Sequence, residues 1–157
     1  MKTVLKWGFV LWIGICMLTG CEKSHHAPNE RVGKKFDQMF PDAKQIEWEM
    51  ERGYYVAEFR ENGLEKEAWF NRDYVWVLTK TEYERNIPDV VRRAVDNSDY
   101  KEWRIDDIDY IEMSGKDPFY IVEVERGETE IDLYISVTGE ITKEVAEIGD
   151  YRRELFD

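Results

Sequence analysis

Two cysteines, two histidines and 34 carboxylates are the side chains through which this 157-residue chain could do chemistry. A thiolate is a nucleophile and a metal ligand, a histidine can activate a neighbouring nucleophile, and clustered carboxylates can hold calcium or move protons. The spacing removes most of these options. His25 and His26 are adjacent in the polar stretch "EKSHHAPNE", residues 22–30, which has no apolar period to hold them in a fixed geometry. The acidic runs at 96–99 (DNSD) and 106–110 (DDIDY) lack the loop glycine and distal glutamate of a calcium-binding hand. There is no glycine-rich phosphate loop, and carboxylate pairs are expected by chance in so acidic a chain. No catalytic residue, metal site or cofactor is therefore assigned.

The cysteines carry more information. Lys2 and Lys6 precede an apolar run over 7–17, which closes with Leu18-Thr19-Gly20 before Cys21 and turns polar at once. This is the order of a secretory leader, and the run is shorter than the ~20 residues of a membrane-spanning helix. The Leu18-Thr19-Gly20-Cys21 tetrad resembles the lipobox of bacterial lipoprotein signal peptides. That resemblance implies cleavage before Cys21 and a diacylglycerol on its sulfur, with further acyl chains securing the anchor. Cys16 is then lost with the leader and Cys21 is blocked, which excludes thiol catalysis, disulfides and cysteine–metal sites from the mature chain. Residues 1–20 are expected to be a signal peptide and 21–30 a tether. The remainder is expected on a membrane surface of the cell envelope, facing the periplasm or the exterior.

Residues 31–157 have the length of one domain with a real core. Losing Lys2 and Lys6 takes the net charge from −12 to −14, which argues against nucleic acid and anionic headgroups as partners. Disorder is excluded by an aromatic content of 14% and frequent β-branched residues.

What must position any site is a pattern that runs twice. Val32, Phe36, Met39 and Phe40 form one face of a short helix that stops at Pro41. The period then switches to two: Ile46, Trp48 and Met50 alternate with glutamates, "YYVAEFRENGLEKEAWF" is a hairpin turning at Asn62-Gly63, and "YVWVLTK" is a fourth strand. Pro88 opens a second helix bearing Val91, Ala94 and Val95, followed by "RIDDIDYIEM", "PFYIVEVERGETEIDLYIS" and "GEITK". A shift of 65 residues aligns Tyr55 with Tyr120, Glu58 with Glu123 and Trp69 with Tyr134. The expected fold is α+β: two tandem repeats, about 31–80 and 87–144, each of one helix plus a four-stranded antiparallel meander. They form a curved sheet with helices on one face, followed by a C-terminal extension.

Phe40-Pro41-Asp42-Ala43, Tyr55-Val56-Ala57-Glu58-Phe59, Ile87-Pro88, Tyr120-Ile121-Val122-Glu123-Val124 and Val137-Thr138-Gly139-Glu140 occur in this order. Over residues 31–144 the chain thereby resembles the PepSY-like family of secreted proteins and lipoproteins, whose fold is similar to that of β-lactamase inhibitor protein. The resemblance implies a domain that binds proteins or peptides, inhibitor-like, through its sheet.

Alternation assigns the faces. Tyr55, Ala57, Phe59, Ala68 and Phe70, with Tyr120, Val122, Val124, Leu133 and Ile135, are expected to face the helices. The opposite face is expected to carry Tyr54, Val56, Trp69, Val77, Phe119, Ile121 and Tyr134 as a binding surface, with Glu58, Glu67, Glu123 and Asp132 as its rim. An open sheet face is normally polar, and aromatics are the usual anchors of a binding surface. The expectation is a non-enzymatic, lipid-anchored module that binds an unidentified envelope or extracellular protein or peptide. The alternative is a structural or scaffolding envelope lipoprotein without a dedicated binding face, its aromatics paired across strands or covered by the C-terminal stretch "VAEIGDYRRELF".

Overall fold

The computed structural model describes residues 24–84 and 86–146; the leader, Cys21 and the C-terminal extension from residue 147 lie outside the described residues. The order of elements is α1 (Glu30–Met39), β1 (Lys44–Glu51), β2 (Tyr54–Glu61), β3 (Leu64–Phe70), β4 (Trp76–Glu82), α2 (Asp89–Asp96), β5 (Arg104–Met113), β6 (Phe119–Arg126), β7 (Thr129–Ser136) and β8 (Ile141–Ala146).

The expected α+β arrangement of two helix-plus-meander repeats is corrected by the sheet itself. All eight strands are hydrogen-bonded neighbours in a single antiparallel sheet running β1 to β8. The described residues are predominantly β, and the two helices among them have only ten and eight residues. The physical reason is the seam: two separate meanders would each leave an edge of unsatisfied backbone N–H and C=O groups. Instead β4 pairs with β5 from Leu78↔Met113 to Glu82↔Asp109. Register shifts in the β1/β2, β3/β4, β5/β6 and β7/β8 pairs mark bulges, and bulges bend and twist a sheet.

Both helices lie on one face. Asn29 caps α1 by accepting from the Arg31 N–H at 2.8 Å, leaving Val32 and Phe36 to enter a cluster with Trp48, Ala57, Phe59, Ala68 and Phe70. Phe36 meets Phe59 edge-on at 5.0 Å. From α2, Val91, Ala94 and Val95 pack on Ile108, Val122, Val124, Leu133 and Ile135. The register makes this the same side of the sheet, because Phe59 lies opposite Lys66, Lys66 opposite Thr81, Thr81 opposite Tyr110, and Tyr110 opposite Tyr120.

The hairpin from β3 to β4 closes without glycine. Tyr74 takes φ +63 where the β7–β8 turn has Gly139 at φ +90. Asn71 holds the strained turn by accepting from the N–H groups of Asp73 and Val75, and the Tyr74 ring stacks on Tyr55 at 5.5 Å. Upstream, the segment expected to be a tether is held against the domain from Ser24 onward. Ser24 exchanges two backbone hydrogen bonds with Trp48 at the open edge of β1, at 2.9 and 2.7 Å. Ala27 packs beside α1, where a Cβ on Gly33 would meet its methyl at 3.0 Å.

Candidate functional site

The face opposite the helices can be read row by row from strand pairing. One row runs Glu49–Val56–Trp69–Leu78–Met113. The next runs Glu47–Glu58–Glu67–Lys80–Ile111–Phe119–Ser136. A third runs Glu82–Asp109–Ile121–Tyr134–Lys143, and a fourth Asp107–Glu123–Asp132–Val145. The face therefore has an apolar diagonal with acidic side chains at two corners.

All the rim residues expected from the sequence lie here, as do Tyr54, Val56, Trp69, Phe119, Ile121 and Tyr134. Val77 does not join them: Trp69 pairs with Leu78 and Phe70 with Trp76, so Val77 is the extra residue of a bulge, outside the alternation. Exposure divides the rest. Val56, Trp69 and Ile121 are at most 2% exposed and Tyr134 is 8% exposed, whereas Tyr54 and Phe119 are half-buried. The Tyr54 ring lies 6.0 Å from Trp69, and Phe119 stacks on Tyr134 at 5.8 Å, beneath the Lys143 ammonium 4.9 Å from the Tyr134 ring. Trp69 and Tyr134 are thus packed rather than projecting, and Tyr54 and Phe119 are the aromatics a partner can touch.

Sequence reasoning missed the electrostatic centre. Lys80, 8% exposed, puts its ammonium 2.9 Å from Glu67, 2.6 Å from Glu82 and 3.9 Å from the buried Asp109. Burial pulls the ammonium down, but the charges of Asp109 and Glu67 and the hydrogen bonds to Glu82 and Glu67 outweigh it, so its pKa stands above the ordinary lysine value. Glu67 is fixed from both sides, since its other oxygen accepts from the Trp69 indole N–H at 3.0 Å. Lys80 thus links three carboxylates that come from β3, β4 and β5. Beside it a cleft of about 430 Å³ is lined by Glu47, Glu58, Glu65, Glu67 and Glu82 together with the cations Arg60 and Lys66. Asp107, Asp109, Ile111 and Met113 share one parity in β5, and this alternation was the available signal; without the β4–β5 seam it did not place them beside Lys80.

The arrangement offers shape, apolar surface and charge. Among the described residues no group of three or more His, Cys, Asp or Glu side chains is arranged to hold a metal ion, and no helix is long and apolar enough to cross a membrane.

Residues 53–143 match the family described as "Putative beta-lactamase-inhibitor-like, PepSY-like". Among solved structures, a BLIP-like protein from Bacteroides fragilis NCTC 9343 is 31% identical, with a TM-score of 0.73 covering 81% of this chain and 92% of that chain. A DUF2874 family protein from Bacteroides ovatus ATCC 8483 is 25% identical, with a TM-score of 0.75 covering 83% and 98%. A protein from Bacteroides eggerthii DSM 20697, described as "putative periplasmic", shares the fold at 24% identity, with a TM-score of 0.68 covering 77% and 89%. No curated protein matches. With more than half of its length inside the family match, the chain belongs to the PepSY-like family and carries a fold like that of β-lactamase inhibitor protein.

Proposed function

We propose that this protein is a non-catalytic binding module of the bacterial cell envelope, anchored by a lipid on Cys21 and gripping a protein or peptide with the helix-free face of its sheet. The observation that carries the reading is the composition of that face: an apolar diagonal ending in the half-buried rings of Tyr54 and Phe119, set between carboxylates around Lys80. Such a surface suits a partner with an apolar or aromatic anchor and a basic neighbour. The β-lactamase-inhibitor-like family supports an inhibitor-like mode of grip without naming the target. The leader and the neighbour described as periplasmic support a location outside the cytoplasm. The short distance in sequence between Cys21 and the Ser24–Trp48 pairing means that a lipid on Cys21 holds the β1 edge close to the bilayer.

A scaffold would hold neighbours through apolar contacts, which salt leaves intact or strengthens; a charge-complementary grip weakens as salt screens it. The lipidated chain, immobilised and exposed to envelope extract at ~20 mM and ~500 mM salt, should retain its specific partner at the low concentration and release most of it at the high one. Retention that is equal at both concentrations would replace the grip with a scaffold.

A further inference from the structure

Successive strands alternate in direction, so the β1–β2, β3–β4, β5–β6 and β7–β8 turns all stand at one end of the sheet. Among the described residues, the large apolar side chains that lie most in water are Met50, Val75 and Val137, at 46, 55 and 46% exposed. All three belong to this end: Met50 is the next-to-last residue of β1, Val75 precedes β4 and Val137 follows β7. The two valines are held there by closed turns. Asn71 donates its N–H to the Val75 carbonyl at 2.9 Å, and its side chain accepts from the Val75 N–H at 3.0 Å. Around Val137, the Ser136 N–H donates to the Glu140 carbonyl and the Gly139 N–H to the Ser136 carbonyl, both at 2.9 Å.

This end also differs from the rest of the chain in charge. Between the strand bounds, the four turns hold three cations, Arg52, Arg72 and Lys116, and three carboxylates, Asp73, Asp117 and Glu140, a balance of zero. The −14 that remains once Lys2 and Lys6 are removed therefore lies wholly outside them. The anchor side of the chain points the same way. Ser24 pairs antiparallel with Trp48, so the chain read backward from Ser24 heads along β1 toward Met50, and the three residues back to Cys21 span at most ~11 Å.

We propose that this row of turns is a membrane-contact surface: the domain rests on a zwitterionic bilayer, with Met50, Val75 and Val137 in the headgroup region and Arg52, Arg72 and Lys116 at its phosphates. The contact rests on the lipid anchor at Cys21 proposed above, which brings a bilayer to this end. Apolar side chains partition into the interface, and long cationic ones reach phosphates from beside them. A neutral end meets the headgroups without charge repulsion, while the acidic remainder of the domain stands clear of them. The strands are then upright on the membrane, and their six to ten residues put the far ends ~20–30 Å above it. Neither face of the sheet is buried by the contact. Tyr54 and Phe119, the first residues of β2 and β6, stand just above the headgroups, so a partner of the grip presents its anchor close to the same membrane.

Paramagnetic broadening tests the orientation on the lipidated chain isolated from membranes. The acyl group on Cys21 is checked by mass spectrometry, and the protein is placed in phosphatidylcholine nanodiscs doped with a gadolinium-chelating lipid. The methyl signals of Met50, Val75 and Val137 should lose most of their intensity, and those of Leu64 and Val124, toward the far ends of β3 and β6, should keep most of theirs. Val75→Asp with Val137→Asp should restore most of the Met50 signal at an unchanged melting temperature, because both side chains are about half in water. If that pair fails to fold, Val75→Ser with Val137→Ser replaces it. Equal broadening at both ends, stronger broadening at Leu64 and Val124, or a Met50 signal indifferent to the paired substitution would each overturn the contact while the anchor stands. An unacylated Cys21 would instead remove the anchor reading. Coupling the Cys21 thiol of the mature chain to a maleimide phospholipid then decides the contact by the same spectra: broadening confined to the turn end supports it, and any other pattern overturns it.

Discussion

Lys80 is the residue on which the chemistry of the face turns. It is 8% exposed and bridges Glu67, Glu82 and Asp109, so replacing it takes a charged partner from carboxylates that are wholly or partly buried. Lys80→Met should therefore destabilise the fold by about 3–5 kcal/mol at neutral pH, measured by urea unfolding. The sign of the pH dependence follows from the raised pKa of the ammonium. A group that holds its proton more tightly when folded contributes fully below its unfolded pKa and loses that contribution as pH rises past it. The deficit of Lys80→Met relative to wild type should persist through neutral pH and shrink only above the ordinary lysine range, near pH ~10.4. A deficit that vanishes between pH 6 and 8 would assign the stabilisation to something other than this cluster. The sequence showed Lys80 only as one polar residue between two threonines. Its importance comes from the strand that pairs with it, and no local pattern encodes that.

The strands show where period-two reading succeeds and where it fails. It assigned β2, β3, β6 and β7 to the correct faces because their alternation is unbroken, so Phe59 and Phe70 do meet α1 and Ile135 does meet α2. It failed at β4, where a bulge removes Val77 from the alternation, and at the β4–β5 seam, where Thr79, Lys80 and Thr81 give no apolar contrast between faces. The expected repeats dissolved into one sheet because backbone satisfaction across the seam outweighs any independence of the two halves. Alternation also cannot tell an open face from a covered one, and Trp69 accordingly read as an exposed anchor. Phe59→Ala, Phe70→Ala and Trp69→Ala should each cost about 3–5 kcal/mol, because all three rings are at most 3% exposed. A loss below ~1 kcal/mol for Trp69 alone would mean that its ring is in water and that the face is open.

At the scale of the whole molecule, a helix-backed sheet bent by alternating bulges holds one face away from the helices, with Ser24 paired to Trp48 at the β1 edge. The central claim is that this face grips a partner through the rings it still exposes. Melting temperature and partner retention, measured on the same preparations of Tyr54→Ala, Phe119→Ala and wild type at low salt, test it most directly. The account predicts melting within a few degrees of wild type for both variants, the shift expected for roughly 1 kcal/mol in a domain of this size. It also predicts at least a tenfold loss of partner affinity, the ~1.4 kcal/mol or more of a central aromatic contact. Wild-type retention by both variants at wild-type melting temperature would place the binding surface elsewhere on the molecule and contradict the account.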